Sequence, residues 1–242
     1  MENIEKYSEK IFETKDHQEI NDILLQLAQN PNQTCLEIVD QITQNFSEEL
    51  LDKVNLNLVY LIGEIAKKYH LPEICIEYVI QAYDKSDRWV RNEIIKTLSK
   101  ISGNQRIMNK IIDILIRALN DNYTKIKLSS LNLLLEETIL PKSLLEHILR
   151  NINASNKDVV EKALEVLKHF YISKEDLFIA LNYSDHYQIL KKEGIRNLLV
   201  EYFSSVMNLE NFRMKIAESD WDAHAKRLFL NEIDSYLKIL LK

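Results

Sequence analysis

Apolar or small residues recur four positions apart in seven short ladders along the chain. These are Ile20-Leu24-Ala28, Val54-Leu58-Ile62, Val90-Ile94-Leu98, Ile126-Ser130-Leu134, Val159-Ala163-Leu167, Leu190-Gly194-Leu198 and Ala225-Phe229-Ile233. A four-residue spacing keeps side chains on one helical face, so each ladder predicts a helix with an apolar stripe that must be covered. The ladders start 34, 36, 36, 33, 31 and 35 residues apart. A period in that range marks stacked helix pairs. A non-repetitive bundle also produces four-residue spacings, but not their near-constant recurrence.

A second set of helices is predicted between the ladders. LPEICIEYVIQAY (71–83) has Pro72 near its start, where a missing N–H costs little. QRIMNKIIDILIRAL (105–119) follows Gly103-Asn104, KSLLEHILRNI follows Pro141, and Ser173 can cap KEDLFIAL. Asn153 and Ser155 lie in the break before the fifth ladder. Asp121, Asp185 and Asp220 each stand five residues ahead of a ladder, where a short acidic side chain caps or braces the turn. The small ladder centres Ser130, Ala163 and Gly194 allow helices to approach closely. An interior glycine costs about 1 kcal/mol relative to alanine, so Gly194 reads as a packing position rather than a loop. Residues 1–12 are expected to form the outer helix of the first pair. Residues 207–242 are expected to form a C-terminal capping unit, whose DSYLKILLK end is either a cap or a docking segment.

The run Asp87-Arg88-Trp89-Val90-Arg91 through Ile94 and Leu98 resembles the inner helix of a HEAT repeat, with its polar turn, Val-Arg, small or apolar residue and Leu. Ile126-Lys127…Ser130…Leu134 and Leu190-Lys191…Gly194…Leu198 carry weaker versions, while Asn21, Asn55 and Val160 replace the arginine elsewhere. This resemblance to the HEAT/armadillo-like repeat class covers nearly the whole chain. It implies an all-α fold, a right-handed α-solenoid of about seven antiparallel helix pairs forming a single domain over 1–242. It leaves function open.

Composition supports helices and limits the functional classes. Three glycines and three prolines are far fewer than the roughly 12% combined share of an average chain. The net charge of −6 is uneven: residues 1–80 hold 15 acidic and 6 basic side chains, and residues 81–242 hold 22 and 25. That balance argues against a dedicated nucleic-acid binder, which usually shows a basic surplus. Cys35 and Cys75 stand 40 residues apart without histidines at ligand spacing, so neither a disulfide scaffold nor a zinc site is expected. The polar start, Met1 to Lys10, lacks the apolar stretch of a secretory signal or membrane span, and a cytoplasmic location is the default expectation.

Stacked pairs rotate slightly and line a concave surface with their second helices. Arg91, Lys127, Lys191 and Lys226 each follow a ladder start, and Lys125, Lys162, Lys192, Arg196 and Arg227 lie close by. Together they predict a basic line that attracts an acidic peptide or phosphates. The competing reading is that arginine at this position pairs with an aspartate between units, and that Lys191 and Lys192 are ordinary solvated charges. Trp89 and Trp221 each stand at the start of a ladder helix, as a flat contact surface or as a seam between repeats; their large apolar area favours burial. Tyr183, Tyr187, Tyr202 and Phe203 read as core and rim of the sixth unit. The partner-binding candidates are therefore Arg91, Lys127, Lys191, Lys192, Lys226, Trp89 and Trp221.

No catalytic centre is recognisable. His17, His70, His147, His169, His186 and His224 are scattered among units, and Gly63, Gly103 and Gly194 are too isolated to form a phosphate-cradling loop. Glu48-Glu49, Glu136-Glu137 and Glu175-Asp176 are adjacent, so their carboxylates do not converge. No metal or cofactor is expected. The chain is also similar in size and repetition to HEAT-like DNA glycosylases that remove alkylated bases. That resemblance implies an aromatic residue with an aspartate near a basic surface; Asp87 with Trp89, or Trp221 with Asp222, are the nearest ingredients, and neither pair maps onto the family motif. The leading expectation is a noncatalytic scaffold or adaptor binding an extended segment or helix of another protein, with a DNA-binding or glycosylase-like protein as the alternative.

Overall fold

A computed structural model describes residues 2–14 and 16–241. Met1, at the start of the expected first helix, and Lys242, at the end of the expected capping unit, lie outside the described residues. Among those described there are fourteen α-helices, one 3-10 segment and no strand. The contacts divide the chain into two compact units, Met1–Glu136 and Glu137–Lys242.

The first unit holds four helix pairs: α1 (Glu2–Glu13) with α2 (His17–Gln29), α3 (Thr34–Asn45) with α4 (Glu48–Ala66), α5 (Glu73–Lys85) with α6 (Arg88–Ser102), and α7 (Met108–Leu119) with α8 (Thr124–Leu135). The second helices α2, α4, α6 and α8 pack each on the next, as do the first helices α1, α3, α5 and α7. The second unit holds α9 (Lys142–Ile152) with α10 (Lys157–Phe170), α11 (Lys174–Asn182) and the 3-10 segment Tyr183–Ile189 with α12 (Lys192–Tyr202), and α13 (Val206–Glu218) with α14 (Ala223–Leu240). There α10, α12 and α14 form the row of second helices. Each unit is therefore a stack of helix pairs, the arrangement of an α-solenoid.

All seven ladders lie in or directly before second helices, and every ladder residue is buried. Burying these stripes supplies the main driving force for stacking. Helix starts follow their capping residues: the side chains of Asp16, Ser47, Asp87, Asn156, Ser205 and Asp222 accept first-turn N–H groups. Ser173 forms a full capping box with Asp176. The three aspartates expected to cap or brace diverge. Asp121 braces, with Oδ1 accepting from Tyr123 N at 2.7 Å and Oδ2 facing Arg91. Asp222 rather than Asp220 caps α14. Asp185 sits in the left-handed region at φ 56°, beside Ser184 at φ 49°.

Within each unit, polar groups join one helix pair to the next at one-repeat separations, which pins the register that apolar burial alone leaves loose. Asn57 Nδ2 donates to Asn21 Oδ1 at 2.8 Å, Asn21 Nδ2 to the Lys53 carbonyl at 3.2 Å, and Asn55 Nδ2 to Ser86 Oγ at 3.3 Å. Thr97 Oγ1 donates to the Val59 carbonyl at 3.0 Å. In the second unit, Asn153 Nδ2 donates to the Ile189 carbonyl at 2.9 Å, and its Oδ1 accepts from Lys191 N at 2.8 Å. Tyr202 and Tyr236 donate their hydroxyls to the carbonyls of Tyr171 and Phe203. Each bond satisfies a group that the seam would otherwise strand. Gly194 is a packing position, as predicted: a Cβ there would stand 2.1 Å from Asn153 Oδ1.

Candidate partner-binding surface

Helical geometry sorts the candidate residues before any contact is considered. At about 100° per residue, the three ladder positions centre near 40° from the ladder start. The position after the start therefore lies on the helix flank, about 60° from the stripe and on the side of a neighbouring helix pair. Positions one before, two after and six after the start lie on the far side, opposite the stripe.

The flank residues behave accordingly. Arg91 pairs with Asp121 on the next helix pair through Nη2 at 3.0 Å and Nε at 3.2 Å, and Nη1 donates to the Ser86 carbonyl at 2.9 Å. Its guanidinium thus braces three segments. Asn21 and Asn55, which replace the arginine in the first two helix pairs, brace their seams in the same way. Lys226 Nζ donates to the Ala217 carbonyl at 3.3 Å. Lys191 is exposed and contributes its backbone N–H to Asn153, while Lys192 lies 3.7 Å from Glu232. Glu232 is buried and also receives Arg196 Nε. Lys162 pairs with Glu165 at 2.6 Å. Lys127 is half-buried and makes no ion pair among the described residues. The geometry divides the expected basic line into braces and scattered charges.

The tryptophans separate as sharply. Trp221 is 4% exposed and stacks on Tyr187 at 4.4 Å and on Phe178 at 5.8 Å between ring centroids, with Phe229 edge-on at 4.9 Å. Its Nε1–H donates to Asn182 Oδ1 at 2.5 Å. Trp221 was a partner-binding candidate in sequence; with its indole enclosed and its one donor satisfied, it is a core residue of the second unit. Tyr187, Tyr202 and Phe203 are buried with it, and Tyr183 lies at the rim with Lys142 Nζ 5.0 Å from its ring centre.

Trp89 is 49% exposed and projects from the far side of α6. Tyr123 meets it edge-on at 5.7 Å, and Arg88 and Lys125 approach its ring to 5.2 and 5.7 Å. The indole borders a groove of about 450 Å³ between α4, α6 and α8, lined also by Leu56, Asn92, Glu93, Lys96, Leu128 and Ser129. Of these groove residues, only Trp89 and Lys125 stand out in the sequence as contact candidates. Leu56, Asn92 and Leu128 carry a signal of their own: each lies two after a ladder start, on the side away from the stripe.

Elsewhere, shifted titrations belong to packing. Burial lowers His147 and His186, and raises the thiols of Cys35 and Cys75, the latter to about 11. Tyr78 and Tyr83 are pushed up to about 12, chiefly by burial. These groups are dispersed among seams. Asp87 Oδ1 accepts from Trp89 N and Val90 N, and Asp222 Oδ1 from His224 N and Ala225 N. Helix capping thus accounts for both aspartates of the glycosylase-like reading. Among the described residues, no group of three or more His, Cys, Asp or Glu side chains is placed to hold a metal ion, and no helix is long and apolar enough to cross a membrane.

Solved structures share this architecture. An engineered protein from a structural-genomics consortium is similar with a TM-score of 0.54 at 13% identity, over 97% of this chain and 68% of that one. A designed armadillo repeat protein aligns with a TM-score of 0.49 at 13% identity, over 97% of this chain and 98% of its own. Each unit is an all-α stack of helix pairs, the solenoid arrangement. Identity this low speaks to fold alone. No protein-family model matches the chain, and no curated protein sequence does.

Proposed function

We propose that this protein is a noncatalytic interaction scaffold that holds a segment of another protein against the far side of α4, α6 and α8. The observation that carries the reading is Trp89: a large aromatic left half in solvent, beside a groove, in a chain whose other tryptophan is fully packed. Exposed aromatic and arginine side chains around a concavity are the residue types that dominate binding energy at interfaces. A repeat surface also suits an extended partner, because several shallow contacts share the energy without a deep pocket.

The test is affinity capture with the wild-type chain and with Trp89→Ala and Leu128→Asp variants, after circular dichroism and thermal unfolding establish that all three are folded. The reading expects proteins captured by the wild type to be lost from both variants. An unchanged captured set from folded variants overturns it.

A further inference from the structure

The groove beside Trp89 also constrains what binds there. We infer that it accepts an acidic protein segment in which an aspartate or glutamate adjoins a large apolar side chain. This rests on the proposal that the far side of α4, α6 and α8 is a partner surface, and adds the chemistry of the partner.

Three observations converge. First, Arg88 and Lys125 both lie against the Trp89 ring, with Arg88 also 5.4 Å from the ring centre of Tyr123, and neither makes an ion pair among the described residues. Lys96 lines the same groove but is taken by Glu93 at 3.2 Å. Uncompensated positive charge is thus concentrated at the tryptophan end, where an aromatic face holds the cations without neutralising them. Second, Asn92 is only 9% exposed and lines the groove. Its Oδ1 accepts from Ser129 Oγ at 3.0 Å, which fixes the amide, and its Nδ2 has no partner among the described residues. That amide N–H can donate to an oxygen acceptor, and a carboxylate or a peptide carbonyl supplies one. Third, Leu56, 42% exposed, and the half-buried Leu128 line the groove with the indole, offering an apolar side chain contacts that a carboxylate alone cannot use.

Charge distribution favours a short acidic segment over nucleic acid. Residues 81–136 carry 10 basic and 6 acidic side chains, whereas residues 1–80 of the same unit carry 6 and 15. A polyanion extending beyond the groove meets this negative stretch, while a segment with one or two carboxylates stays within the positive part.

The test uses the full chain and four probes. These are a labelled twelve-residue peptide with Asp or Glu beside Leu or Phe, its Asn/Gln analogue, its Lys/Arg analogue, and a single-stranded oligonucleotide of similar length. Binding is read by polarisation of the label and by Trp89 emission, with Trp89→Phe separating it from Trp221. The acidic peptide is expected to bind, to weaken at least tenfold as its Asn/Gln analogue or against Arg88→Glu and Lys125→Glu chains, and to lose affinity with added salt. Equal binding of the Asn/Gln or Lys/Arg peptide overturns the acidic preference and leaves the partner surface standing. Tighter binding of the oligonucleotide overturns the partner class. If no peptide binds although Trp89→Ala still abolishes capture of native partners, the stated chemistry is wrong and the surface remains; if capture is also indifferent to Trp89, both fall.

Discussion

The chain's two tryptophans stand on opposite sides of a helix start. Trp89 is the second residue of α6, two positions after the capping Asp87; Trp221 immediately precedes the capping Asp222 of α14. Inside the first turn, one position before the ladder start, a side chain is carried to the far side of the helix, and Trp89 meets water and two cations. Ahead of the cap the chain has not yet joined the helix, and Trp221 turns back over Phe229 and Tyr187. The same residue type thus serves as a surface in one unit and as core in the other, because three positions relative to the cap change its direction.

The harshest test of this contrast is Trp221→Ala. Removing a stacked, enclosed indole should cost about 3–5 kcal/mol, read as a lower denaturant midpoint and temperature for unfolding. A loss below about 1 kcal/mol would mean that the stack is not core.

Arg91→Ala comes next. It removes the donors to the Ser86 carbonyl and leaves the largely buried Asp121 without its guanidinium, for a loss of about 1–3 kcal/mol. Arg91→Lys should restore only part of that, since an ammonium cannot bridge both sites. A variant that kept full stability but lost partner binding would instead make Arg91 a contact residue.

Gly194→Ala tests the close approach in the second unit. The added methyl displaces Asn153 from two hydrogen bonds and should destabilise by about 1–2 kcal/mol, although alanine favours helix. Gly103→Ala, where the nearest groups lie 3.7 Å away, should be neutral or stabilising by up to about 1 kcal/mol. Thermal unfolding of the two variants distinguishes a glycine held for packing from one that is replaceable.

Acid should separate the units more gently. Burial lowers His147 and His186 below their ordinary 6.5, so the unfolded chain binds more protons between the two values. Their contribution to the second unit is complete above about 6.5 and declines as pH falls through that value toward the lowered folded ones. In the first unit, burial pulls Glu64 up, but the ammonium groups of Lys67 and Lys100 pull it further down. Its contribution is held above 4.5 and lost below. In Trp89→Phe, Trp221 emission followed in denaturant at several pH values should show stability declining from about 6.5; in Trp221→Phe, Trp89 should report a decline only at lower pH. Coincident declines would break the distinction.

Trp89→Ala should have the smallest effect on stability, within about 1 kcal/mol, because the ring is half in solvent. Its effect belongs to binding, measured by capture from the folded variant.

Much of this was legible along the chain. The seven ladders marked the second helices, and Gly194 announced a close approach through its unfavourable place in a helix. The candidate surface was harder to read, because a basic residue beside a ladder braces or binds according to what stands across the seam. Arg91 and Lys127 occupy the same ladder position; the first meets Asp121, and the second meets no carboxylate among the described residues. Leu56, Asn92 and Leu128 look like ordinary helix residues until three helices bring them together.

The order of apolar and polar positions determined by itself that this chain forms paired helices repeating every 31 to 36 residues, because helical periodicity is local and burial acts on whole stripes. Only the tertiary structure decided which polar groups are consumed in holding the pairs together and which remain for a partner. Satisfying a hydrogen bond or a charge depends on distances of a few ångströms between residues one repeat apart, and no one-dimensional pattern contains those distances.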